Sequence, residues 1–470
     1  MATTMMDSVV YASLWSSSRL RGVFDEMPRT QAWLNIIATL AEVQGEFGLI
    51  PEQAARSIAE VCRNMPVDAQ VLEEVRQGRQ GSGHSTQGLI ECVQRRLPAS
   101  AAQWVYAGAT VQDVTDTWLM LALREARTGL LEDLAAVDAA LAGLSRAHRT
   151  TVMAGRTHGQ LGLPITFGFK AAGWLAEFRR HRQRLMQVAP RMDVVQLCGG
   201  VGSVASMGPR GLEVQRRFAE RLGLAAPSIS WTSSRDVLGE WCALLTLVTG
   251  TADRIGHEIY NLQRSEIAEV REGAVRGVVG SITMPHKRNP EIAEHLGTLA
   301  RLVRHLGAAV AESQVQDHER DGRAWKTEWH AIPEATMLAG RAIELVGELL
   351  ANVEVDATRM RANLEASGGL LLSEGVMLEL SAAIGRDSAH RLLYALSVQA
   401  REQGTQLLEV LHRDPTVRRH LDAAALERLS DYARHTGHCA AMVDRVLAAP
   451  QAPAAMPQAS RPALPAEHFA

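Results

Sequence analysis

Residues 236–270 read DVLGEWCALLTLVTGTADRIGHEIYNLQRSEIAEV. Within them Leu238, Trp241, Leu245, Val248, Ala252, Ile255, Ile259 and Leu262 alternate spacings of three and four without a break. That period, about 3.5, belongs to helices packed nearly parallel in a bundle. A helix of about 35 residues would run roughly 50 Å at about 1.5 Å per residue, longer than an ordinary globular helix. Its natural home is a long bundle, one that extends between subunits.

Three further segments carry the same signal. The first begins near Trp118, with Leu123, Leu130, Leu134, Val137, Leu141 and Leu144 on one face. Another starts after Pro164 and covers residues 167–188, and a last one follows Pro290 to about Val315. Composition agrees. Aromatics are 4% of the chain, the helix formers Ala, Leu, Arg and Glu are abundant, and alternating β-branched runs are scarce. The expected fold is all-α, in three helical domains. They are residues 1–111, a central long-helix region at 112–365, and a C-terminal domain at 366–447 opened by the Gly368-Gly369 turn. From residue 448 onward Pro450, Pro453, Pro457, Pro462 and Pro465 predict a disordered tail.

Bulk properties exclude several classes of function. A net charge of −3 over 470 residues gives no reason to expect nucleic acid or an anionic membrane as partner. The five cysteines are odd in number and contain no CxxC pair, which fits a reducing cytoplasm better than disulfides or zinc. No basic run followed by an apolar one opens residues 1–11, so no secretory signal is expected. No uncharged apolar stretch of about 18 residues exists to span a membrane.

Several segments carry polar chemistry between the helical patterns. Residues 273–290 hold Gly273, Gly277 and Gly280, then Ser281, Met284, Pro285, Lys287, Asn289 and Pro290. Glycines free the backbone, prolines stop a helix, and the remainder supply a hydroxyl, a cation and an amide. Read as a loop alone, it is a connection between two helices. Gly155-Arg156-Thr157-His158-Gly159 is a polar turn leading to Pro164 and a helix start, where free N–H groups favour anions. Thr110, with Asp113 three residues on, reads as a helix cap. The Gly-rich run from Gln196 to Ser203 lacks both a preceding strand and GxGxxG spacing, so it is not a dinucleotide loop. Asp317-His318-Glu319-Arg320-Asp321 is a charge run beside Trp325 and Trp329, an odd neighbourhood for a purely solvated helix end.

Taken together these segments resemble the fumarase/aspartase superfamily. The loop Gly280-Ser281-Ile282-Thr283-Met284-Pro285-His286-Lys287-Arg288-Asn289-Pro290 is similar to its signature, glycine-serine-serine-x-methionine-proline-x-lysine-x-asparagine-proline. Segment order and spacing from Arg29 to about Glu374 resemble the adenylosuccinate lyase and 3-carboxy-cis,cis-muconate cycloisomerase branch. The resemblance implies a central five-helix bundle that tetramerises into a twenty-helix core. It implies active sites shared by three subunits, a small dicarboxylate substrate, and anti β-elimination with no metal or organic cofactor.

It also implies roles. Removing a proton beside a carboxylate creates a dianionic aci-carboxylate, which needs donors and cations where the charge develops. Ser281 matches the catalytic serine that acts as base, and Lys287, Asn289 and Met284 match substrate-holding positions in the same loop. His158 matches the general acid of adenylosuccinate lyases, with Thr157 beside it. Thr110 and Gln112 match the carboxylate-contact segment, and His84 a supporting histidine. Gln196, Arg235 and Arg320 match positions near the substrate.

Departures narrow the substrate. Ile282 replaces the second loop serine, Val111 the serine after Thr110, and Tyr106 a lyase histidine. Around Trp325 and Trp329 the serines and arginine that hold a nucleotide phosphate are missing, and Tyr11 follows Val10 where nucleotide-binding members have arginine. Each lost charge-assisted contact is worth about 1.5–3 kcal/mol, which argues against a nucleotide. The cycloisomerase usually has tryptophan where this chain has His158. The expected activity is therefore carbon–nitrogen lysis of a small N-substituted succinate, such as nitrosuccinate or an aspartate-like compound, to fumarate. The alternatives are the cycloisomerase reaction, adenylosuccinate lysis, or a non-catalytic crystallin-like scaffold.

Overall fold

The computed structural model describes residues 4–273, 281, 283–284 and 286–449. The tail read as disordered falls, from residue 450, outside the described residues, as do Gly277, Gly280, Ile282 and Pro285 of the loop. Four helices at Glu26–Glu46, Glu52–Asn64, Ala69–Ser82 and Gln87–Gln94 build the N-terminal part. Aspartates start two of them: Asp25 accepts from the Met27 N–H at 3.0 Å, and Asp68 from the Val71 N–H at 2.9 Å. Leu34, Ile37, Ile58 and Leu89 form their core, which also takes in Val195, Leu197 and Phe218 from much later in the chain.

Five long helices follow: α1 (Val111–Ala147), α2 (Phe167–Gln187), α3 (Asp236–Gln263), α4 (Glu291–Glu312) and α5 (Gly322–Asn352). α3 packs on α4 and α5, α1 packs on α2 and α5, and α2 packs on α3. Their shared core contains every apolar residue of the 3.5-period stripe on α3, from Leu238 to Leu262. The α1–α2 junction is close. A Cβ on Gly168 would lie 2.6 Å from the backbone oxygens of His148 and Ser145, so only glycine lets the start of α2 dock on the end of α1. Beyond α5, helices including Ser373–Ile384 and Arg386–Gln403 gather Val376, Leu380, Leu393 and Leu411 into a separate C-terminal core.

Among the described residues the fold is all-α apart from an isolated bridge between Val194 and Ala225 and two small antiparallel pairings, one of which joins β1 (Val152–Thr157) to β2 (Gln160–Thr166). α1 starts at Val111, as the cap formed by Thr110 and Asp113 implies, ahead of the apolar stripe that begins near Trp118. Two details differ from the sequence expectation. α3 ends at Gln263, because Val270 and Arg271 pair as a strand with Glu354 and Val355. α5 is a long helix that the sequence reading does not name. It carries Pro333 inside, a residue that ordinarily ends one. Among the described residues no single helix is long and apolar enough to cross a membrane.

Candidate active site

The start of α1 gathers the first group of expected residues. Arg320 donates from Nη1 to Thr110 Oγ1 at 3.0 Å and from Nη2 to the Gly200 carbonyl at 3.1 Å. Its Nε is buried with no hydrogen-bond partner. Asp113, buried one turn inside, accepts from the backbone N–H groups of Thr110 at 2.8 Å, Cys198 at 2.8 Å and Gly199 at 3.2 Å. Burial pushes its carboxyl up to about 6, against those three bonds and the nearby Arg320 charge. Asp113 thus fixes the Gly199–Gly200 turn whose carbonyl orients Arg320. Tyr106 stands beside it at φ 66°, its hydroxyl buried near Thr86 and its phenol raised by burial. Through Thr86, whose hydroxyl is 3.4 Å from His84 Nδ1, His84 borders the same region.

Gln112 and Gln196 lie beneath. Gln112 Nε2 donates to the Thr232 carbonyl at 3.2 Å and to Asp116 at 3.4 Å, leaving its Oε1 unpartnered. Gln196 is fully buried with neither end of its carboxamide bonded. Buried polar atoms left this way call for a water or a ligand. Arg235 is turned into the protein. Its side chain is 1% exposed, gripped by Asp116 at 2.8 Å and Glu328 at 3.0 Å. The Asp116 and Glu328 carboxylates, neither singled out from sequence, turn it inward.

The second group sits on the β1–β2 hairpin. His158 and Gly159 form its two-residue turn, both in the left-handed region at φ 52° and 73°, closed by the Thr157–Gln160 pair. Thr157 and His158 are exposed at the tip. Behind them Arg156 is bound to the fully buried Glu269 at 2.9 Å, which also accepts from Asn363 at 2.8 Å, so the hairpin is held at its base.

The third group is the signature loop. Ser281 Oγ accepts from the Met284 N–H at 3.1 Å, a bond that favours an anionic oxygen on the serine. The Lys287 N–H donates to the Met284 carbonyl at 3.0 Å, and Asn289 donates to Glu291 at 3.2 Å. Lys287 and Met284 are exposed. Arg288 donates to the Glu272 carbonyl at 2.8 Å, and Glu272 accepts from the Ala293 N–H at 2.7 Å, tying the loop's exit to the start of α4.

Among the described residues no hydrogen bond or ion pair joins these three groups within one chain. Thr110, Arg320 and His84 are brought together; His158 and Thr157 stand apart, and so do Ser281, Lys287, Asn289 and Met284. Among the described residues no cluster of three or more His, Cys, Asp or Glu side chains is arranged to hold a metal ion.

Comparison with known proteins gives this arrangement a context. A family model described as Lyase matches residues 15–304, and one described as Adenylosuccinate lyase C-terminus matches residues 369–446. The chain is 37% identical over 447 residues to an N-acetyl-S-(2-succino)cysteine lyase of Dickeya dadantii, covering 95% of this chain and 98% of that one. It is 35% identical over 458 residues to a nitrosuccinate lyase of Streptomyces davaonensis, covering 94% and 96%. The solved structure of 3-carboxy-cis,cis-muconate lactonizing enzyme from Pseudomonas putida superposes with a TM-score of 0.86 at 33% identity, covering 94% of this chain and 98% of that one.

Proposed function

The chain belongs to the fumarase/aspartase superfamily, in its adenylosuccinate lyase and 3-carboxy-cis,cis-muconate cycloisomerase branch, and on that premise we propose that it eliminates a small nitrogen or sulfur leaving group from a 2-substituted succinate to release fumarate. The observation that carries the reading is Arg320. Its guanidinium stands at the N-terminus of α1, fixed by Thr110 and Gly200, with a buried N–H still unpartnered. A cation with a free donor at a helix start is built for a carboxylate.

In this reading one substrate carboxylate is held at Thr110 and Arg320. Ser281 takes the proton from the carbon next to the other carboxylate, which Lys287 and Asn289 hold as its charge grows. The electron pair forms the double bond as the leaving group departs from the opposite side with its bonding pair. The groups stand apart in one chain, so the site is completed by neighbouring copies in a homotetramer. Leu247 and Tyr260 on α3 and Leu302 on α4 are exposed apolar residues on bundle helices, and they support such packing.

Nitrogen and sulfur make different demands on His158. An amine must be protonated as it departs, and an imidazole at the turn is suited to that. A thiol, with an ordinary pKa of about 8.5, leaves readily as a thiolate. The 37% identity to an N-acetyl-S-(2-succino)cysteine lyase supports the sulfur form, and the likeness to a nitrosuccinate lyase the nitrogen form, whose nitrite, like a thiolate, leaves as an anion without a proton from His158. The test is an absorbance assay for fumarate with nitrosuccinate, aspartate, N-acetyl-S-(2-succino)cysteine, argininosuccinate and adenylosuccinate, alongside a lactone assay with carboxymuconate. Fumarate from one of the first three is the expected result. Activity confined to adenylosuccinate or to lactone formation contradicts the reading.

A further inference from the structure

A cleft of about 420 Å³ opens between the Glu26–Glu46 and Ala69–Ser82 helices on one side and α1 and α5 on the other. None of the residues expected at the active site lines it, yet it adjoins them. Ser85, next to His84, forms part of the wall, and Asp116 and Glu328 from the Arg235 cluster form another part. Asp116 lies on α1, whose N-cap is Thr110, so the cleft runs beside the helix that carries the proposed carboxylate contact.

Its lining has two characters. One is aromatic. Trp33 lies with its ring centroid 6.2 Å from that of Trp118 and 6.3 Å from that of Trp329. The Trp33 indole N–H is buried with no hydrogen-bond partner. The other is cationic. Arg29 lies over both Trp33 and Trp118, its guanidinium carbon 5.9 Å and 6.0 Å from the ring centroids, which is cation–π distance. Its single ion pair among the described residues is a long one, 3.4 Å to an exposed Glu26. Burial lowers the Arg29 guanidinium below its ordinary value despite Glu26 and Asp25 nearby. The Arg29 side chain keeps 35% of its surface exposed, so this poorly paired cation stands open to an incoming anion. Arg79, on the same wall, makes no ion pair among the described residues, while Arg76 is bound to Glu73 at 2.6 Å.

The charges also set an orientation. Asp116 and Glu328 hold one cation, Arg235, between them, so that wall offers an incoming anion no unpaired cation. A ligand's carboxylate is driven toward Arg29 and Arg79. The aromatic surface between suits a short apolar body, and the unpartnered Trp33 N–H suits a carbonyl oxygen.

We propose that this cleft is the leaving-group subsite and that it takes a leaving group with its own carboxylate and acyl group, an N-acylated α-amino acid joined to the succinate through a side-chain sulfur or nitrogen, with Arg29 as the carboxylate anchor. The proposal rests on the elimination read from the active site. In that reaction the carbon–heteroatom bond breaks, its electron pair leaves on the heteroatom, and the proton removed from the adjacent carbon passes to Ser281. Arg29 takes no part in these transfers. It binds the far end of the departing group.

Two measurements on the full-length protein test it. In the first, calorimetry follows N-acetylcysteine binding to the wild type and to Arg29→Gln and Arg29→Lys. About tenfold weaker binding by Arg29→Gln, partly restored by Arg29→Lys, is expected. Equal binding by wild type and Arg29→Gln overturns the proposal, as does tighter binding of a phosphate-bearing probe, O-phosphoserine, than of N-acetylcysteine. In the second, fumarate formation is compared for N-acetyl-S-(2-succino)cysteine and its analogue with the leaving-group carboxylate replaced by a carboxamide. The wild type is expected to prefer the carboxylate by about tenfold in kcat/KM, and Arg29→Gln to lose most of that preference. No preference in the wild type overturns the proposal while leaving the elimination intact. Specific N-acetylcysteine binding without fumarate from any 2-substituted succinate overturns the elimination while leaving the subsite intact. Should Arg29→Gln fail to fold, Arg29→Lys carries both comparisons, with a reduced preference expected and an unchanged one contradicting.

Discussion

Asp113 shows how much can rest on one buried carboxylate. It caps α1 through the Thr110 N–H and, 85 residues away in sequence, receives the Cys198 N–H. By holding the Gly199–Gly200 turn it sets the carbonyl that aims Arg320. Burial lifts its carboxyl to about 6, above the roughly 3.9 of an unfolded aspartate. The sign follows from linkage. The folded state binds this proton more tightly, so the group's contribution to stability is greatest at low pH and falls as pH rises from about 4 to about 6. Deprotonation strengthens its acceptor bonds to the turn, so kcat/KM is expected to rise through the same window. A carbon-13 titration of the Asp113 carboxyl should give a midpoint near 6, and a midpoint near 4 would contradict the account. The cap itself was legible, since Thr110 and Asp113 stand three apart. The second task was not, because its partners are brought in by folding alone. The same holds for Arg235, whose acids Asp116 and Glu328 lie 119 and 93 positions away. The sequence placed Arg235 near the centre of activity but could not show which way it faced.

Among the elements, α2 and α3 meet over a polar contact inside an apolar interface. His181 on α2 is buried, with Nε2 2.8 Å from Thr251 Oγ1 on α3. Thr251 in turn donates to Glu177 at 2.6 Å. Burial, with Arg184 adding to it, pushes the imidazole down to about 4. A histidine depressed below its unfolded value of about 6.5 contributes stability that is complete above that value and is lost as pH falls toward 4. His181→Gln should therefore flatten the acid side of the stability curve. Urea unfolding of both proteins at pH values from about 7 to about 4 checks this, and parallel acid limbs would count against it. The helices themselves were largely readable, because a 3.5-residue period is a local property. Their ends were less so. α3 stops where Val270 finds a strand partner across more than 80 residues, and α5 runs through Pro333 because the packing of Ile332 and Ala335 in the core outweighs one missing backbone bond.

Across the whole molecule the three groups of candidate residues occupy separate places: the start of α1, the tip of the β1–β2 hairpin, and the loop before α4. Each is held from behind, by Asp113, by Glu269 and by Glu272. In the proposed reading, one chain supplies only part of an active site. The loop's serine, lysine and asparagine were legible as a motif. Their separation from His158 within one chain was not, since no local pattern states where folding will carry a loop and a hairpin. In the proposed elimination, Ser281 and His158 act together across subunits to form fumarate. The test mixes two variants, Ser281→Ala and His158→Gln, unfolds and refolds them together in equal amounts, and assays fumarate with an amine-substituted succinate that the wild type turns over. Each variant alone should be nearly inactive. The refolded mixture should regain about a quarter of the wild-type rate, because random assembly in a symmetric oligomer gives about one site in four both intact residues. A Ser281→Ala protein with full activity, or a mixture as inactive as its components, would contradict the account.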